Sequence, residues 1–248
     1  MLRSENKRTV EANGLLDETI SKYISALKTF MQWALDRNYH SNKDFQHNNF
    51  AAKKKTKHEI VTLSEEELMR LYKEDLSSNP RLERVRDLFC FATFTGQRWS
   101  DIETFRKEDV KDGWWIFESY KTKKITKIPF KGFIAPALEI LKKYDYDLPR
   151  ISSQKFNDYI KEVGAVAEIN ESITIKRMSG NQRIEIIRPK HEFMASHMAR
   201  RSCVTILLQR GVPPTTIMKL TGHTDLKTLM KYENTSDDAL LNALETYV

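Results

Sequence analysis

The chain has 248 residues, 40% of them hydrophobic and 30% charged, with 41 Lys and Arg against 34 Asp and Glu for a formal net charge of +7. That length suits one large domain or two small ones with a packed core. No window approaches the roughly 18 uncharged apolar residues of a membrane span, and the N-terminal MLRSENKRTVEANG lacks the apolar core of a signal peptide.

Cys90 and Cys203 sit inside apolar helical runs, which argues against a disulfide framework and for a reducing cytoplasm. The positive charge is uneven. Residues 1–62 carry 11 basic and 7 acidic side chains, concentrated near Lys53, Lys54, Lys55 and Lys57. Residues 171–210 carry 8 basic and 3 acidic. Patches of this kind suit a phosphate backbone.

Residues 15–37 place Leu16, Ile20, Tyr23, Ile24, Leu27, Phe30, Met31 and Ala34 at helical period, predicting a helix. Residues 38–61 lose that period and turn polar, then basic, as an interdomain linker does. Ser64 and Glu67 form the signature of a capping box at a helix start, and a second helix spans about 81–95. Thr95-Gly96 ends it, and Ser100 with Glu103 predicts another capping box on a short helix. Residues 113–119 and 124–130 read as a hairpin joined by Tyr120–Lys123. Helices are expected near 136–144, 152–168, 196–210, 214–221 and 225–232, with an amphipathic segment at Asp237–Tyr247. A second β pair, Ile173–Met178 and Arg183–Ile187, brackets the turn Ser179-Gly180-Asn181-Gln182. The sum is an α+β fold, mostly helical with a small antiparallel sheet.

Along this scaffold lie Arg98, Lys121, His197, Arg200, His223 and Tyr232. Cleaving a phosphodiester without a metal requires positive charge for the nonbridging oxygens, a nucleophile, a base for its proton and an acid for the departing oxygen. Arg98 and Arg200 suit the first task, since a planar guanidinium meets two phosphate oxygens and stays charged. Tyr232 is a nucleophile that needs that field and a base, either His197 or His223. Lys121, on a hairpin tip beside Lys123 and Lys124, is placed to protonate a leaving oxygen. Each residue alone has an ordinary structural explanation; their joint occurrence carries the reading.

Thr95-Gly96-Gln97-Arg98-Trp99-Ser100-Asp101-Ile102 resembles the first box of the tyrosine recombinases, the phage integrase family. Ser196-His197-Met198-Ala199-Arg200-Arg201-Ser202 resembles the second, and Leu220-Thr221-Gly222-His223 with Lys231-Tyr232 the third. Tyr120-Lys121-Thr122 before Ile128-Pro129 is similar to the hairpin that bears the family's lysine. The resemblance covers about 63 to 248.

It implies that Arg98, Arg200, His197 and His223 bind and activate the scissile phosphate, with His197 as base and His223 as hydrogen-bond donor. Lys121 is then the general acid, and Tyr232 forms a 3′-phosphotyrosyl bond with double-stranded DNA at attachment sites. No cofactor and no metal is needed. Lys53, Lys54, Lys55, Lys57 and Arg201 are the expected DNA contacts. The implied organisation is a partial core-binding segment at 1–50, a basic linker at 51–62 and a catalytic domain at 63–248. The earlier core-binding helices and an arm-binding domain are not recognisable, so the sequence is expected to be part of a longer chain. The tail Asp237–Val248, with Ala239, Leu240, Ala243 and Leu244 on one face, resembles the segment that docks on a neighbouring subunit. That implies a tetramer on DNA, with docking in cis as the alternative. A DNA-bending accessory protein is a frequent family partner. An integrase of a mobile element is favoured over a dimer-resolving enzyme.

Two rivals remain, a degenerate recombinase being disfavoured because every expected polar group is present. A type IB topoisomerase uses a similar residue set as a monomer that relaxes supercoils. A DNA-binding module is the other, with 212–232 as a helix-turn-helix and Thr224–Tyr232 as recognition helix.

Overall fold

The computed structural model describes residues 15–47, 50, 60–180 and 182–232. They belong to two compact units, Met1–Glu59 with Ser172–Arg188, and Ile60–Glu171 with Pro189–Val248. Lys53, Lys54, Lys55, Lys57 and the expected amphipathic tail lie outside the described residues.

In the first unit, helix α1 (Asp17–Asp36) carries Asp17 and Glu18 in its first turn, where carboxylates favour the helix dipole. Both also tie the helix to a hairpin of strands Ser172–Ser179 and Gln182–Pro189. Asp17 Oδ1 accepts from the Gly180 amide at 2.6 Å, and Glu18 pairs with Arg177 at 3.0 Å. Tyr23, Leu27, Phe30 and Trp33 remain exposed on α1. Beyond it the chain is partly folded where a linker was expected: a 3-10 turn spans Asp44–Gln46, with Phe45 buried against the edge of His40.

The second unit begins with α2 (Glu65–Lys73), whose capping box forms as the sequence predicts. Ser64 Oγ accepts from the Glu67 amide at 3.2 Å, and Glu67 Oε2 accepts from the Ser64 amide at 2.7 Å. Helix α3 (Pro80–Thr95) opens on Asn79 as cap and Pro80 in its first turn, and every residue from Val85 to Thr95 is buried. A helix enclosed on all sides needs no amphipathic stripe. Its one acidic residue in that stretch, Asp87, is held by Arg86, Lys143 and Tyr144 at 2.5, 2.7 and 2.7 Å.

The short helix α4 (Trp99–Glu103) departs from expectation. It starts one residue before Ser100, so Arg98 is the N-cap and no side-chain cap forms. Glu103 instead accepts from the Trp99 indole at 2.6 Å.

Strands β1 (Val110–Lys111), β2 (Trp114–Glu118) and β3 (Ile125–Pro129) form an antiparallel sheet in that order, with Trp115 opposite Ile128 and Phe117 opposite Thr126. β1 is two residues long, too short to leave a periodic signal. Alternation turns Trp115 and Phe117 inward. Trp115 then packs on Phe91 and Phe105 at ring distances of 5.6 and 5.2 Å, which fixes the sheet to α3. Helices α5 (Ala135–Lys143) and α6 (Ser153–Val166) cover other faces of α3.

Helix α7 (Ser196–Gln209) lies along α3 and is buried over most of its length. It continues into α8 (Pro214–Thr221) and α9 (Leu226–Leu229), followed by a 3-10 turn at Met230–Tyr232. Cys203, Val204, Leu207, Ile217 and Leu229 form a separate apolar cluster under these elements. Each such aliphatic side chain contributes about 1.5–3 kcal/mol when fully buried. That cluster is what holds the C-terminal turn and its tyrosine against α7. Both cysteines are buried and free.

Candidate active site

Where α3 ends, Gly96 adopts φ 67°, a left-handed cap that glycine enters without penalty. Close packing demands glycine as well: a Cβ there would sit 2.8 Å from Cys203 Sγ and 3.1 Å from the Thr221 methyl. The Gly96 carbonyl accepts from Arg200 Nη1 at 2.9 Å, so the end of one buried helix aims a side chain of another. Arg200 is 4% exposed and is matched by no carboxylate bond in this contact. Burial, then the Arg98 charge, lowers its pKa to about 10, leaving it a cation at neutral pH.

Arg98 follows at the start of α4, with its guanidinium 3.9 Å from Asp101 Oδ2. Asp101 is 1% exposed, and its other oxygen accepts from the Tyr120 amide at 2.8 Å. One carboxylate therefore steadies both Arg98 and the turn that carries Lys121. Lys121 itself is exposed on that turn, as are Lys123 and Lys124.

His197 lies in the first turn of α7, one turn before Arg200. Partial desolvation comes first and the positive charges of Arg201, Arg200, Arg98 and Lys121 follow; together they hold its pKa below the ordinary value. Arg201 thus stands beside His197, its Nε buried without a hydrogen-bond partner.

His223 follows Gly222, the left-handed cap of α8 at φ 67°. Its ring contacts Arg200 Nη2 at 3.3 Å from both nitrogens, and Nδ1 lies 2.6 Å from Thr221 Oγ1. Burial and then Arg200, Arg98 and His197 lower its pKa to about 4, so the ring is neutral at neutral pH. The Tyr232 ring lies 6.3 Å from the His223 ring, tilted by 55°.

Arg98, Arg200, His223 and Tyr232 therefore meet in space, with His197 and Lys121 within electrostatic reach. Three residues in the quoted strings acquire a place that spacing did not reveal. Asp101 bridges to Tyr120; Thr221 touches His223. Gln97 Nε2 donates to the carbonyls of Thr95 at 2.7 Å and Leu220 at 2.9 Å, lashing the first loop to the third. The partners are 19 and 123 residues away in two of these cases, beyond any local pattern.

The helix-turn-helix alternative does not fit this geometry. Residues 224–232 form a four-residue helix and a 3-10 turn, and Leu229 is fully buried. A recognition helix needs several exposed turns to lie in a groove.

Comparison with known proteins shows the family and the fold. The phage integrase family matches over residues 61–238. A tyrosine recombinase XerC-like protein of Caldanaerobacter subterraneus subsp. tengcongensis is 26% identical over 264 residues, covering 94% of this chain. Tyrosine recombinase XerC of Bacillus licheniformis is 27% identical over 242 residues, covering 92%. The chain spans 66% of the first relative's length and 73% of the second's. Among solved structures, the lambda integrase dimer bound to a COC′ core site superposes with a TM-score of 0.64 at 16% identity, over 89% of this chain and 75% of that one. At that identity the likeness establishes the fold, a mostly helical body with small sheets. The chain belongs to the phage integrase family, the tyrosine recombinases, enzymes of DNA strand breakage and rejoining.

Proposed function

We propose that the chain is a site-specific recombinase whose Tyr232 cleaves double-stranded DNA through a 3′-phosphotyrosyl intermediate, integrating and excising a mobile element. The observation that carries this reading is the convergence of Arg200 on His223, with the Tyr232 ring 6.3 Å beyond. A phenol near pKa 10 is a poor nucleophile in water. Here the guanidinium groups of Arg98 and Arg200 are placed to stabilise the charge building on the phosphate.

In the proposed step the Tyr232 oxygen bonds to phosphorus while His197 takes the phenolic proton. The bond from phosphorus to the 5′-oxygen breaks, and Lys121 supplies the proton with which that oxygen leaves as a 5′-hydroxyl. Arg98, Arg200 and His223 hold the nonbridging oxygens. Attack by a partner strand's 5′-hydroxyl reverses every bond change, so joining needs no external energy source. The lowered pKa of His197 keeps its ring unprotonated at neutral pH, the form that can accept the phenolic proton.

The same reading takes 1–50 as part of a core-binding domain, 51–62 as a basic linker and 63–248 as the catalytic domain. Lys53, Lys54, Lys55, Lys57 and Arg201 then contact DNA backbone. The tail 237–248 docks on a neighbouring copy in a tetramer on attachment sites, with a DNA-bending protein as accessory. An apolar groove of about 1190 Å³ lined by Ile125, Phe133, Ile217, Met218 and Leu220 supports such docking. The lambda integrase structure, a dimer on DNA, supports assembly on DNA and the integrase role. Action on DNA and two free thiols agree with the cytoplasm. Among the described residues no helix is long and apolar enough to cross a membrane.

The test is a denaturing gel with nicked duplexes drawn from the element's ends. Wild type forms a covalent adduct, and Tyr232→Phe forms none while still binding DNA. Salt-sensitive binding without any adduct would leave only a binding module.

A further inference from the structure

The contacts of His223 also decide which of its nitrogens carries the proton. Thr221, fully buried at the end of α8, has its Oγ1 2.6 Å from the Ile217 carbonyl and 2.6 Å from His223 Nδ1. A hydroxyl has one proton and a carbonyl has none. The short contact with Ile217 therefore consumes the Thr221 proton, in the i−4 pattern common for threonine in helices. The contact with His223 must then run the other way, with an Nδ1–H donating into a Thr221 lone pair. Rotating the ring to exchange nitrogen for carbon would leave a C–H at 2.6 Å from oxygen, well inside the ordinary contact distance.

Arg200 is compatible with this assignment. A guanidinium only donates, so the nitrogen it bonds must bear a lone pair. Nη2 lies 3.3 Å from both ring nitrogens. With Nδ1 protonated, Nε2 is the ring nitrogen that keeps a lone pair for Arg200.

We propose that Thr221 is a positioning residue that sets the tautomer of His223, keeping the proton on Nδ1 and leaving Nε2 as an acceptor in the DNA-free enzyme. The consequence rests on the phosphoryl-transfer reading above. A phosphate oxygen cannot take a hydrogen bond from an unprotonated Nε2. His223 becomes a phosphate donor only by taking up a proton as the substrate displaces Arg200 from Nε2. The groups that face it are Arg200 and His197 from α7, Arg98 from the start of α4, and Tyr232 from the C-terminal turn. The cations among them keep the ring neutral until an anionic phosphate enters. Proton uptake is thereby tied to substrate entry. The buried Thr221 methyl, packed where Gly96 lacks a Cβ, keeps the hydroxyl in this orientation.

The test uses the full chain labelled with ¹⁵N-histidine, without DNA at neutral pH, with His223 identified by the signals lost in His223→Gln. Wild type and Thr221→Ser are expected to give the nitrogen pattern of the Nδ1–H tautomer. Thr221→Val, which removes the acceptor, is expected to shift toward the Nε2–H form. An Nε2–H pattern in wild type overturns the proposal, whatever the variants do. So does a valine variant indistinguishable from wild type. In adduct formation on nicked DNA, Thr221→Val is expected to be about tenfold slower than Thr221→Ser, the scale of one lost hydrogen bond. If wild type forms no adduct, the function reading fails while the tautomer measurement still stands on its own.

Discussion

Arg200 donates Nη1 to the Gly96 carbonyl at 2.9 Å and turns its other terminal nitrogen to His223. A guanidinium spans those two partners because its donors diverge from one rigid plane; an ammonium is a single point. Arg200→Lys keeps the charge and loses the fork. Single-turnover cleavage of nicked DNA should fall by on the order of 10²–10³, the size of one lost oxyanion donor. Binding at low salt should stay near wild type, because the net charge is unchanged.

Asp101 serves two partners through its two oxygens, and two substitutions separate them. Asp101→Asn keeps an acceptor for the Tyr120 amide and removes the counter-charge 3.9 Å from Arg98. It should slow cleavage while leaving denaturant unfolding close to wild type. Asp101→Ala also strands a partly buried N–H and should cost a further 1–3 kcal/mol, roughly, in the same unfolding measurement. Equal unfolding midpoints for the two variants would refute the division of labour.

Lys121 shares its turn with Lys123 and Lys124, all exposed, so chemistry must separate them. A general acid matters only when the leaving group is a poor one. Lys121→Met should slow cleavage of ordinary DNA by about 10²–10⁴. A substrate with a 5′-bridging sulfur, whose thiolate departs without a proton, should restore most of the rate. Lys123→Met and Lys124→Met should show neither effect. Rescue appearing at either neighbour would move the role there.

The histidines make stability depend on pH. In the folded chain the His223 pKa is lowered to about 4 from the ordinary 6.5, and His197 shifts in the same direction. Between those values the unfolded chain binds more protons than the folded one, so acid favours unfolding. The contribution is complete above about pH 6.5 and is lost as pH falls toward 4. Thermal midpoints should drop across that window, and His223→Gln should drop less steeply. A variant as acid-sensitive as wild type would show that the loss arises elsewhere.

What the sequence determined on its own was the set of chemical parts and most elements that carry them. The Ser64–Glu67 box, the hairpin of residues 113–130 and the position of α7 follow from interactions within a few residues of each other, and such interactions leave local patterns. The six candidate site residues stood out because their types and order are demanding together. The capping box expected at Ser100 does not form, because α4 begins at Trp99 and Arg98 is its N-cap. The roles of Asp101, Gln97 and Thr221 were decided only by the tertiary structure. So was the meeting of Gly96 with Arg200, 104 residues apart. Those contacts depend on α3 and α7 lying side by side in a shared core. Which carbonyl then faces which guanidinium is a property of that packing, and no spacing along the chain encodes it.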